Sequence, residues 1–143
     1  MAKFGYIYGD RNLVPFPMGN TGEIKEGWGV IQDSGANGNV MAAADSGKPF
    51  GMAAEHVSAP TNDGDTEIKI DISEESVYRI PVVAGTLATT MLGKTCDYGV
   101  VAGVHGADVS ASTDDVFMIV GLDITGDWVE VKLYGRLNAT GVV

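Results

Sequence analysis

Apolar and polar residues alternate strictly in several short, separate stretches of this sequence, and this alternation limits the folds that the chain can adopt. In the stretch 66–72, isoleucines occupy every second position and charged residues lie between them: Ile68, Ile70 and Ile72 alternate with Glu67, Lys69 and Asp71. The stretch 127–134 repeats the pattern, with Val129, Val131 and Leu133 on one face. A period of two places alternate side chains on opposite faces of a strand. Both stretches are therefore predicted to be antiparallel strands with one face in the core and one in solvent.

Three further stretches are typical of strands. Residues 4–8 place three aromatic side chains on one face. Residues 76–83 alternate in the same way but contain Pro81, which predicts an edge strand or a bulge because proline lacks the backbone donor. Residues 116–120 are apolar on both faces, which predicts a central or interface strand.

Nothing in the sequence keeps a helical period for three turns without a glycine. Of the 143 residues, 20 are glycine, about twice the usual share. Glycine disfavours helices and supplies the turns between short strands, as at Asn37-Gly38, Asp63-Gly64 and Thr125-Gly126. We therefore predict an all-β fold, an antiparallel β-barrel or sandwich, with one β domain over residues 27–143.

Residues 1–26 form a candidate N-terminal arm. Two prolines, Pro15 and Pro17, favour an extended chain, and apolar side chains recur along it. Aromatic side chains offer large, rigid contact areas to a partner. The predicted partner-binding residues are Phe4, Tyr6, Tyr8, Phe16 and Met18. The alternative is that the same residues pack on their own domain.

The charge of the chain excludes several classes of partner. Nine basic residues against 19 acidic ones give a net charge of −10 and a pI near 4.3. Such a chain lacks the basic surface that binds nucleic acid or anionic membranes. Residues 61–75 carry six acidic residues and one lysine, and we interpret them as a solvated acidic face, with adventitious calcium as the alternative.

Few side chains suggest catalysis. The first twelve residues lack the apolar stretch of a secretory signal. The sequence has a single cysteine, Cys96, which excludes an internal disulfide. Cys96 with His56 or His105 could in principle form a nucleophile–base pair, but no local motif supports it. We expect no cofactor and no metal.

One enzymatic alternative remains. Asp33-Ser34-Gly35-Ala36 resembles the catalytic turn of retroviral-type aspartic proteases, and residues 117–123 resemble their later apolar segment that ends in glycine. Such proteases are dimers whose two aspartates share one proton. Gln32 departs from that pattern, since an apolar residue should seat the turn.

A wider resemblance covers residues 27–135. The chain has a glycine-rich turn segment, then Gly47-Lys48-Pro49-Phe50-Gly51, and later the runs 77–82, 92–97, 116–123 and 128–133. In the order and spacing of these segments, the chain resembles the small capsid decoration proteins, also called head-stabilising or cement proteins, of tailed bacteriophages. The resemblance implies a β-barrel, β-tulip or immunoglobulin-like fold and no catalytic residues.

The same resemblance implies a role and a location. Decoration proteins bind the outer surface of the phage head, contact the major capsid protein and stabilise its lattice. They often form homotrimers at three-fold or quasi-three-fold positions, without nucleic acid or membrane. The expected location is the outer capsid surface of a virion assembled in the bacterial cytoplasm. Another phage head or tail module is the alternative within this class.

Overall fold

A computed structural model describes residues 3–33 and 38–134, and strands account for nearly all of their regular structure. The strands are β1 (Gly5–Tyr8), β2 (Leu13–Pro17), β3 (Gly29–Gln32), β4 (Val40–Ala42), β5 (Gly51–Ala53), β6 (Glu67–Asp71), β7 (Val77–Ala84), β8 (Thr95–Val101), β9 (Val104–Asp108), β10 (Phe117–Asp123) and β11 (Trp128–Leu133). A 3-10 helix, Thr89–Met91, is the one helical element among these residues. They contain no helix long and apolar enough to cross a bilayer. The predicted all-β class is confirmed.

The first sheet closes on itself. Its strand order is β1-β7-β11-β10-β8-β9, and β9 pairs again with β7 in parallel. The strands β7, β11, β10, β8 and β9 therefore form a small barrel, and β1 adds to β7 beside it. Alternate residues of these strands fill the barrel, among them Tyr78, Ile80, Tyr98, Phe117, Ile119, Val129 and Val131.

Strand β7 has neighbours on both of its edges, so the first of the two expectations for Pro81, an edge strand, is wrong. The second, a bulge, agrees with the register shift between Val82 and Ala84 in the pairing with β9. On one edge β7 pairs with β11. On the other, β1 pairs with residues up to Arg79, and β9 pairs from Val82 onward. Pro81 lies in the gap between those two partners. Neither β1 nor β9 therefore needs the backbone N–H that proline lacks.

The second sheet has the order β2-β6-β5-β3-β4 and also curls round. Met18, which follows β2, makes a parallel bridge with Val40 of β4. The sheet encloses a second core of Met18, Ile24, Val30, Val40, Ala53, Ile68 and Ile70. Ala43 and Met52 from this half of the chain pack into the barrel core, so the two cores are in contact.

The N-terminal stretch pairs with strands of its own chain. Strand β1 lies at the edge of the first sheet, and β2 lies at the edge of the second. Residues 9–12 cross between them, and the Asn12 amide donates a hydrogen bond of 3.0 Å to Asp71. Both strands of this stretch therefore pair within the chain, and contact of its side chains with a partner stays a prediction.

The alternation of apolar and polar residues predicts most of the burial correctly. In β11, Val129, Val131 and Leu133 are buried as predicted, and β10 is central between β11 and β8. Asp71 is the exception, because it is completely buried although the acidic stretch 61–75 was expected to face solvent. The turn around residues 34–37 lies outside the described residues.

Candidate binding groove

A groove with a volume of about 310 Å³ lies where the N-terminal stretch, the start of β3 and the β8–β9 hairpin meet. Its apolar walls come from Phe4, Trp28, Pro81 and Val104. Its polar lining comes from Lys25, Glu26, Arg79 and His105. Concave sites with apolar walls and a few polar groups are the usual form of a binding site.

The floor of the groove joins the two sheets through one cluster of side chains. The Trp28 ring, just before β3, stacks on the His105 ring of β9 with centroids 3.7 Å apart and an angle of 13°. The Gly29 amide donates to the Tyr98 hydroxyl at 2.9 Å, and that hydroxyl lies 2.6 Å from His105 Nδ1. The buried Tyr98 hydroxyl has one proton to donate, and His105 Nδ1 is the acceptor that lies within reach of it. We therefore assign the neutral imidazole the tautomer that carries its own proton on Nε2.

Glycine at position 29 is required by this cluster. A Cβ there would lie 2.7 Å from the Tyr98 ring and 2.9 Å from Pro49. The absence of a side chain lets the backbone amide reach the Tyr98 hydroxyl. Burial raises the pKa of Tyr98 and lowers the pKa of His105 to about 4. At neutral pH both groups are therefore uncharged.

The charged side chains at the groove are nearly balanced in sign. Arg79 pairs with Glu130 at 2.8 Å, and its guanidinium lies 4.1 Å from the centre of the Trp128 ring. Lys25 pairs with Glu23 at 3.6 Å and lies 5.9 Å from the centre of the Trp28 ring. With Glu26, the groove cations and their partners amount to two cations and three anions, in a chain whose net charge is −10.

The β8–β9 hairpin ends in an uncharged tip beside the groove. Val101 and Val104 face each other across the hairpin, and both are about half exposed. The two turn residues have positive φ angles, 52° at Ala102 and 79° at Gly103. Two left-handed residues form the tight turn that suits the twist of a hairpin. We call residues 101–104 the tip.

The structure separates the predicted partner-binding residues into three groups. Phe4 and Tyr8 are exposed, with 45% and 53% of their surfaces accessible. Tyr6 is half-buried against Tyr78, and Phe16 is half-buried against Phe50. Met18 is completely buried in the second core. The Met18 side chain belongs to that core, while its backbone makes the bridge to Val40.

The catalytic candidates lie apart or are buried. Asp33 directly follows β3 in the second sheet, whereas the matching apolar segment is β10 in the first. Residues 34–36 of the protease-like turn lie outside the described residues. Burial raises the pKa of Cys96 to about 12, so at neutral pH it is a thiol rather than a nucleophilic thiolate. No three metal-binding side chains cluster within residues 3–33 and 38–134.

Sequence reasoning missed Trp28, Tyr98 and the role of His105. One local signal was available, since Trp28 lies between two glycines, a pattern typical of close backbone approach. Comparisons with protein-family models, curated proteins and solved structures found no match.

Proposed function

We propose that this chain is a capsid decoration protein of a tailed bacteriophage, which binds the outer surface of the head and stabilises the lattice of the major capsid protein. The sequence pattern over residues 27–135 is the first support for this role. We call residues 9–12, which cross between β1 and β2, the crossing segment. The observation that carries the proposal is the exposure of Tyr8 and Leu13 at the two ends of this segment. Exposed aromatic and aliphatic side chains on a rigid scaffold favour binding to a protein surface.

The crossing segment is rigid because Asp71 holds it. This buried carboxylate accepts the Asn12 amide and lies 3.8 Å from Arg11 Nε. Tyr8 and Leu13 flank the segment, so their positions are set before a partner binds. Such preorganisation lowers the entropy that binding must overcome.

The adjacent sheet edge favours contact through side chains rather than added strands. Pro15 and Pro17 lie in β2, which is the edge of the second sheet. Proline cannot donate a backbone hydrogen bond and protects an edge from pairing. Leu13, at the start of the same strand, is 42% exposed. We therefore propose that the capsid contacts the side chain of Leu13 rather than the backbone of β2.

The net charge favours the outer face of the shell. A chain of −10 is repelled by packaged DNA on the inner side, where phosphates dominate the field. On the outside, many copies act together, so that modest contacts sum to firm attachment.

The test is direct binding to expanded heads built from the major capsid protein of the same genome. Wild-type protein is expected to bind saturably and to sediment with the heads. Tyr8→Ser with Leu13→Ser should weaken binding at least tenfold, equal to about 1.4 kcal/mol. Leu92→Ser with Ile124→Ser is the matched control, because those side chains are similarly exposed elsewhere.

Circular dichroism confirms that each variant is folded before binding is compared. Failure of folded wild-type protein to bind heads would overturn the proposed function. Equal binding by the Tyr8/Leu13 variant would instead refute the role assigned to this surface.

A further inference from the structure

The groove and the tip lie side by side on one face of the molecule. We propose that two copies of this chain pair through this face about a two-fold axis, with the tip of each copy seated in the groove of the other. This inference goes beyond capsid binding, does not depend on it, and departs from the homotrimer that the family resemblance implies.

The shape of the face is the first argument. Gly103 and Val104 belong to the tip and also line the groove, so a projection and a depression share one rim. A two-fold axis brings the same patch of both subunits together, and such a contact closes when the patch is self-complementary. A projection beside a depression meets that condition, since rotation by 180° places each tip over the opposite groove.

The chemistry of the face is the second argument. Val101 and Val104 are 48% and 49% exposed, and Phe4 across the groove is 45% exposed. Residues 101–104 carry no charged or polar side chain. Removing this apolar surface from water favours association. The left-handed turn holds the tip in one conformation, so little chain entropy is lost when it docks.

Charge is the third argument, and it favours a second copy. Copies with a net charge of −10 repel each other over most of their surface. At this face, the two cations Lys25 and Arg79 lie among three anions, Glu23, Glu26 and Glu130, so nearly all of the net charge lies elsewhere. In a two-fold contact, cations around the groove of one copy lie opposite anions around the groove of the other, which favours pairing over repulsion.

The experiment measures the mass of the full chain in solution by sedimentation or light scattering. Wild-type protein is expected to have twice the 14.9 kDa mass of one chain. Ala102→Asp places a charge in the tip, and Asp tolerates the left-handed conformation at this position, so the fold is retained. This variant should weaken the dimer at least tenfold, and Val101→Asp with Val104→Asp should make it monomeric.

Leu92→Asp is the control, because Leu92 is equally exposed but lies outside the groove lining and the tip, and it should remain dimeric. A wild-type monomer at about 100 μM overturns the inference. A dimer that tolerates both tip variants overturns it too, and so does a trimer, because a three-fold contact is not the two-fold one proposed.

Shell binding separates this inference from the proposed function. A tip-dependent dimer that does not bind heads supports the inference and refutes the proposed function. A wild-type monomer that binds heads does the reverse.

Discussion

At the scale of single residues, Asp71 connects the N-terminal stretch to the rest of the molecule. Its carboxylate is completely buried and accepts hydrogen bonds from Ser76 Oγ at 2.6 Å and from Tyr78 Oη at 2.7 Å. It also accepts the Asn12 amide at 3.0 Å. Burial, together with the hydrogen bond to Asp71, raises the pKa of Tyr78 and keeps its proton in place. The carboxylate thus joins β6, β7 and the crossing segment.

We predict that Asp71→Asn lowers the free energy of unfolding by about 2–4 kcal/mol. The amide replaces one acceptor oxygen with a donor, which faces hydroxyl and amide donors that lose their partner. Urea unfolding measures the change. Glu67→Gln on the same strand is the control, because Glu67 is exposed and its replacement should shift stability by less than about 0.5 kcal/mol. Equal stability of the two variants would contradict the role of Asp71.

The His105 pKa predicts a pH dependence of stability. In the folded chain, burial lowers this pKa to about 4, from an ordinary value of 6.5. The unfolded chain therefore binds the proton more readily, and stability present above pH 6.5 is lost as the pH falls toward 4. Lys25, Glu26 and Arg79 are the charged side chains that line the same groove as His105.

His105→Gln cannot titrate, so it should lose about 1–3 kcal/mol less stability than wild type between pH 6.5 and pH 4. His56→Gln, at an exposed position, should keep the wild-type pH dependence. Denaturant unfolding at several pH values gives the comparison. If the His105 variant and wild type had parallel pH profiles, the histidine would not be linked to stability.

At the scale of elements, closure of the barrel depends on how closely β9 approaches β7. A Cβ at Gly106 would lie 2.1 Å from the Pro81 carbonyl oxygen, which belongs to the backbone and cannot move freely. Gly106 therefore permits the parallel pairing of Val82 with Ala107. Without this pairing, β7 and β9 would be two open edges.

We expect Gly106→Ala to cost about 3 kcal/mol or more, since the added methyl group meets backbone. Gly103→Ala is the comparison on the same hairpin. It has open space around it and a φ of 79°, so it should cost only about 1–2 kcal/mol from the left-handed conformation. Thermal or urea unfolding ranks the two variants, and the reverse order would contradict the closure described here.

The elements also show how far sequence reasoning reaches. Strands β6 and β11 are predictable because one face of each is apolar and the other is polar. Barrel closure is not predictable in this way, because it depends on the distance between two backbones remote in the sequence. For the same reason the stack of Trp28 on His105 could not be foreseen. Asp71 looked solvent-facing because its neighbours in the sequence are acidic. The alternation does not show that the nearby Ser76 and Tyr78 hydroxyls and the remote Asn12 amide all turn toward it.

At the scale of the whole molecule, two small cores in contact present two separate surfaces. One surface carries Tyr8 and Leu13, which flank the crossing segment that Asp71 holds in place. The other carries the groove and the tip, where charge is nearly balanced. We assign the first to the capsid and the second to another copy of the chain, so each can be disrupted without the other.

The central claim is that this protein stabilises a phage head by binding its outside. The most direct test is the temperature at which expanded, DNA-filled heads lacking the protein rupture, measured with and without added wild-type chain. We predict that rupture moves to a higher temperature in proportion to occupancy, and that the Tyr8/Leu13 double variant leaves it unchanged. A rupture temperature that stays the same when the heads are saturated with bound wild-type protein would contradict the account.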